Sequence, residues 1–224
     1  VIIVLLGLMK DKGEIIMNKL RNLNKKLFAI LVIAIIAFSF SASSVYAADV
    51  SPRIGPYRLE YGISHFNYYI TSSVLNHSKS DMWVSLINDA VNSWVDTGYG
   101  WNPLYAYRSY DYYNSNMDIY LSEQAVEGYI KGNVFYYVGD SSNATQVSPW
   151  EQNWVYTEVE MFVNMYDWND YNRMQRYIAH FFGSTFGLAT NEDSNSVMCS
   201  WYTVCNVYKP SLADHNGLNA IYNN

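Results

Sequence analysis

The chain has 224 residues, half of them apolar, with 14 Lys+Arg against 20 Asp+Glu and a formal net charge of −6. An acidic chain of this kind is a poor candidate for binding nucleic acid or anionic lipid, whose affinity rests on clustered positive charge. Its two cysteines, Cys199 and Cys205, are too few for a thiolate metal centre without further ligands beside them.

The first 47 residues read as addressing rather than fold. Residues 1–16 begin with valine and read as an upstream extension, with Met17 as the expected start. Lys19, Arg21, Lys25 and Lys26 precede an apolar run, Leu27–Phe40, and Val45-Tyr46-Ala47 places small residues around a cleavage point. Residues 17–47 are thus expected to be a secretory signal peptide cut after Ala47. The run is shorter than the ~20 residues that a spanning helix needs, so no stable membrane association is expected after cleavage. Residues 1–47 hold six of the basic and two of the acidic residues, which leaves 8 against 18, a net charge of −10, on residues 48–224. That remainder is long enough for one domain with a real core, and its acidity suits cationic peptides.

Residues 48–61 contain Pro52, Gly55 and Pro56 and read as an irregular lead. His65–Ser73 reads as a first strand from its aromatic and β-branched content. Trp83, Leu86, Ile87, Ala90, Val91 and Trp94 recur at helical spacing, predicting a helix capped by Ser80 and running to about Asp96. Leu104–Tyr110, Met117–Leu121 and Asn133–Val138 are short strand candidates, and the alternation of Val155–Val163 predicts another. Asp170 is expected to cap a helix over Tyr171–Leu188. Residues Ser211–Tyr222 read as a closing helix. Helices and strands in this mixture predict an α+β fold over residues 62–224.

The densest pattern lies in the penultimate helix. Tyr177–Asn191 reads Y-I-A-H-F-F-G-S-T-F-G-L-A-T-N, with Ser196-Val197-Met198 just beyond. It resembles the zinc helix and Met-turn of the metzincin peptidases, closest to the secreted bacterial matrixin-like group, whose pattern is H-E-x-x-H-x-x-G-x-x-H. His180 stands at the first ligand position, Gly183 at a glycine of the subgroup, Gly187-Leu188 at the helix-ending pair, and Asn191 at the closing asparagine. The resemblance implies a twisted mixed sheet with a long helix, an active-site helix, a Met-turn carrying Met198 and a C-terminal helix. It also implies a substrate cleft beside an edge strand. On this reading the groove is expected beside residues 155–163.

The chemistry of the pattern is missing. Two imidazoles at i and i+4 converge on one ion, a third arrives after the glycine, and the glutamate takes a proton from zinc-bound water. Here Phe181 replaces the glutamate, Ser184 the second histidine and Thr190 the third. One imidazole and two neutral hydroxyls are not a zinc site, so no metal ligand, no catalytic residue and no cofactor is expected, and zinc enters only if the site is non-standard. The expected protein is a secreted pseudopeptidase that binds an extended peptide or an extracellular partner in the old cleft. The rival readings are a zinc endopeptidase of unusual site and a non-catalytic structural protein.

Other residues offer weaker patterns. His180 and Ser184 lie one turn apart, but a mid-helix serine has no free backbone amides for an oxyanion hole. Glu192 and Asp193 come too late in the sequence to replace Thr190, His65 and His77 lie at the other end of the chain, and His215 is expected on the surface of the last helix. Cys199 and Cys205 in an exported chain predict a disulfide closing a short loop. The 22 tyrosines and 7 tryptophans suit a half-buried sheet, or an aromatic surface for peptides or glycans.

Overall fold

Alternating side chains and two amphipathic helices build one layered core. The computed structural model describes residues 50–124, 130–139, 143–201 and 204–223; the expected extension and signal peptide lie outside them. The strands are β1 (Phe66–Ile70), β2 (Ala106–Ser109), β3 (Met117–Ser122), β4 (Gly132–Val138), β5 (Thr145–Val147) and β6 (Tyr156–Phe162). The helices are α1 (Ser72–Leu75), α2 (Ser80–Val95), α3 (Tyr171–Thr185) and α4 (Leu212–Tyr222). The strands form one mixed sheet in the order β2-β1-β3-β6-β4-β5. β2, β1, β3 and β6 run parallel, while β4 is antiparallel to both β6 and β5. The α+β reading therefore holds.

β6 alternates as its sequence predicts, with Thr157, Val159 and Met161 buried and Tyr156, Glu158 and Glu160 half-buried on the other face. It is an interior strand between β3 and β4, so the groove cannot run along residues 155–163. The strand beside the site is β4. β5 covers only its second half, pairing with Tyr136, Tyr137 and Val138.

α2 turns Trp83, Leu86, Ile87, Ala90, Val91 and Trp94 into the core. Its N-cap is Lys79, which makes no side-chain capping bond, and Ser80 is the first helical residue rather than the cap. α3 is capped as expected, the Asp170 carboxylate accepting from the Arg173 backbone N–H at 3.0 Å. The two helices are tied where Trp94 Nε1–H donates to the Ala179 carbonyl at 2.8 Å. Phe182 of α3 and Phe186 at its C-cap meet Phe66 of β1 edge-on, the latter at 5.0 Å between ring centroids. Rings buried to this degree each contribute about 1.5–3 kcal/mol by leaving water.

α3 ends three residues earlier than the apolar pattern suggests. Leu188 N–H bonds to the Gly183 carbonyl and Gly187 N–H to that of Ser184, with Gly187 at φ +94°. This is a Schellman ending, which a residue with a Cβ adopts only under strain. The expected strands over His65–Ser73 and Leu104–Tyr110 are also shorter in the structure, since residues 72–75 turn into α1. The lead is irregular but pinned: Ser51 N–H bonds to the Ala213 carbonyl, Ile54 N–H to that of Gly187, and Ala189 N–H to that of Pro52.

Candidate functional site

His180, Phe181 and Ser184 sit on the last two turns of α3, and the Schellman turn brings Thr190 back over them. His180 is buried, and both ring nitrogens are engaged. Nδ1 lies 3.1 Å from the Val197 carbonyl and Nε2 3.2 Å from Thr190 Oγ1. A carbonyl only accepts, so Nδ1 carries the proton, and Nε2 accepts from the Thr190 hydroxyl. Burial, reinforced by the nearby Arg176 charge and opposed by the Val197 carbonyl, pulls the His180 pKa down to about 3. The imidazole is neutral at any ordinary pH.

Ser184 is half-buried, and both nitrogens of His180 are already taken by Val197 and Thr190. A Ser–His dyad is not assembled. Phe181 is 2% exposed, stacks obliquely on Trp201 at 5.7 Å, and lies against Gly132 of β4. Hydrocarbon fills the position next to the imidazole. Trp201 also covers His180, with ring centroids 4.3 Å apart.

Beneath the helix, the 196–199 turn is held tightly. Asn191 N–H bonds to the Met198 carbonyl, and the Asn191 side chain donates to Ser196 Oγ at 3.0 Å. The buried Asp214 carboxylate of α4 accepts from Ser51 Oγ, Ser196 Oγ, the Val197 N–H, and the N–H and hydroxyl of Ser211. Met198 presses against α3 at Gly183, where a Cβ would stand 2.3 Å from the Met198 sulfur. Only glycine permits that approach. Beyond the turn, Cys199 and Cys205 form the expected disulfide, with their Cα atoms 6.1 Å apart.

An open groove of about 680 Å³ runs over these residues, floored by His180, Phe181 and Ser184 and bordered by Gly132, Val134 and Trp150. Phe162 N–H donates to the Lys131 carbonyl, so odd-numbered residues of β4 address β6. Gly132 and Val134 direct their backbone groups to the open side, before β5 begins to pair. Trp150 is exposed at the groove, whereas Trp154 is fully buried.

The remaining candidates lie elsewhere. His215 is buried rather than on the surface, because α4 turns it inward to Thr97 Oγ1 at 2.8 Å. Among the described residues, no three His, Cys, Asp or Glu side chains gather where they could hold one metal ion. The donor set His180, Ser184 and Thr190 does not fit zinc, since two of the three are neutral hydroxyls and the imidazole lone pair is already bonded. On the far face of the sheet, Asp118 opposes Glu158 across β3 and β6, and Tyr156 OH donates into the pair. Burial raises the Asp118 pKa to about 6 against the hydrogen bonds of Ser115 and Tyr156, with Glu158 raising it further. Sequence reasoning missed Trp201, Asp214 and Arg176. An arginine one turn before His180 with no acid three or four residues away was the available signal for the last.

No protein-family model matches this chain, and no curated protein aligns with it significantly.

Proposed function

We propose that the protein is a secreted, catalytically silent relative of the matrixin-like metzincins that binds an extended polypeptide in the groove over α3. The observation that carries this is the open backbone edge of β4 at Gly132 and Val134 lying alongside the groove floored by His180, Phe181 and Ser184. A strand edge with unpaired N–H and C=O groups takes an added strand, while neighbouring side chains read its residues. Support for the ancestry comes from the helix with its Schellman ending, the returning Thr190, and Met198 packed under Gly183. The imidazole keeps the arrangement of a metal ligand, donating Nδ1–H to a backbone carbonyl. Phe181 supports silence, because it leaves no base beside the imidazole. The disulfide supports export, since such bonds persist in oxidising compartments.

The test uses denatured casein as an extended-chain probe. Hydrogen exchange should slow at Gly132 and Val134 on addition of casein, and the casein should remain uncut. Cleavage sensitive to a chelator, or unchanged exchange along β4 at saturating casein, overturns the proposal.

A further inference from the structure

Next to the groove is a second cavity of about 480 Å³ with a different chemistry. Its lining brings together Lys131, from the residue before β4, and Arg173 and Arg176 of α3, with Tyr177 and Trp201 as walls. Trp201 borders both spaces, its ring lying 4.3 Å from that of His180 and 5.6 Å from the Arg176 guanidinium. Residues 48–224 carry only 8 basic side chains against 18 acidic ones, yet three of the eight converge here.

Arg176 is 5% exposed and has no carboxylate partner among the described residues. Its contacts are the faces of Tyr177 and Trp201, the Cys199 carbonyl at 3.4 Å and the Cys205 sulfur at 2.8 Å. Among the described residues, Lys131 is met by the Met165 carbonyl and the Tyr177 ring. Burial and the neighbouring arginines lower the Lys131 pKa, and burial lowers that of Arg176 against the opposing pull of Tyr177, with Arg173 adding a smaller push. Among the described residues the one acid in the lining, Asp170, is already engaged by the Arg173 side chain at 3.4 Å and its backbone N–H. The described lining therefore carries three cations and one committed carboxylate. A buried, uncompensated guanidinium is costly unless something anionic completes it. Arginine between flat aromatic walls is shaped for a carboxylate.

We propose that this cavity is a carboxylate subsite at the Lys131 end of the groove, filled by an acidic side chain or the free C-terminus of the bound chain. This rests on the polypeptide-binding reading above. It also reverses the preference that overall charge suggests, for the acidic surface favours cationic peptides while the pocket beside the groove selects anions.

The small probe is N-acetylaspartate amide, with N-acetylasparagine amide as its neutral twin. The readout is the Trp201 indole N–H resonance, assigned by Trp201→Phe. The aspartate compound should shift that resonance saturably and less so in high salt, and the asparagine compound should not. Lys131→Met with Arg173→Gln should weaken the effect at least about tenfold, the scale of losing one charged hydrogen bond. Those two side chains are not part of the core, so the test survives if Arg176→Gln fails to fold. No shift, or an equal shift from both compounds, overturns the subsite.

Four matched peptides then identify the source: internal Asp or Asn, and a free or amidated C-terminus. Tighter binding confined to the Asp peptide assigns the side chain, and tighter binding confined to the free terminus assigns the chain end. Peptides that bind without any carboxylate preference retire the subsite and leave the groove reading standing. Binding of the small aspartate compound with no peptide protecting β4 does the reverse.

Discussion

His180 Nε2 and Thr190 Oγ1 stand 3.2 Å apart, so the first and third positions of the motif are bonded directly to each other. Two atoms each ~2.0–2.1 Å from a tetrahedral ion lie roughly 3.4 Å apart. The chain after Gly187 thus brings residue 190 within reach of the His180 ring, where a hydroxyl one bond from Cβ is enough to bond it.

Zinc content follows from that contact. Purified protein should hold no stoichiometric zinc, and chelator should leave its melting temperature unchanged, because a ligand stabilises only a state that binds it. The double variant Ser184→His with Thr190→His should take up one zinc per chain and melt higher with metal, while Phe181 keeps it inactive. Wild-type metal near one per chain by elemental analysis, lost in His180→Ala, contradicts the proposal.

Phe181 should behave as core. Cutting it to alanine should cost about 3–5 kcal/mol by urea unfolding, whereas leucine should cost less than about 1.5 kcal/mol. The contrast separates a packed ring from one resting on a wet cleft floor. An alanine cost below about 1 kcal/mol would mean that the groove, not the core, owns this side chain.

Two buried groups should pull the pH profile in opposite directions. His180 is neutral when folded, with a pKa of about 3 against an ordinary 6.5. The unfolded chain therefore binds more protons between those values, and stability is lost as pH falls from about 6.5 toward 3. Asp118, raised to about 6, binds its proton more tightly when folded. Its contribution is fully present below about 4 and is lost as pH rises through 6. Asp118→Asn should steepen the acid-side loss by removing the compensating trend, and His180→Gln should expose a decline between pH 4 and 6. Unchanged slopes in both variants, measured by denaturant midpoints across that range, refute the assignments.

The short disulfide loop should matter more to the pocket than to the fold. Replacing both cysteines by serine should cost about 2 kcal/mol by the loop-closure argument. It should also free Arg176, whose guanidinium leans on Cys205. Intact mass with and without alkylation checks the bond, and the Trp201 resonance in the double variant reports the pocket.

Where each element is local, the sequence shows it. Asp170 announced α3, the spacing of Trp83 through Trp94 announced α2, and the alternation of β6 was plain. Thr145–Val147 was not, since this short strand is polar and mostly exposed, without an apolar face to alternate. The end of α3 was overrun because apolar Phe186 and Leu188 continue the periodicity while Gly187 breaks the backbone. The motif's losses at 181, 184 and 190 were readable letter by letter. The topology was not, and it makes residues 155–163 an interior strand rather than a groove wall. The basic pocket was hidden for the same reason: Lys131 and Arg176 meet only through the fold.

Asp214 also sets the order of events in time. Its carboxylate joins Ser51, near the first described residue, to the 196–197 turn and to the start of the last helix. A ribosome releases the first of these long before the last. Contacts this distant in sequence slow folding, because the intervening chain must be confined before they form. Until residues 211–214 emerge, Ser196 and the Val197 N–H have no acceptor, and the floor under His180 stays open. The floor under His180 is therefore closed only once the 211–214 segment is in place.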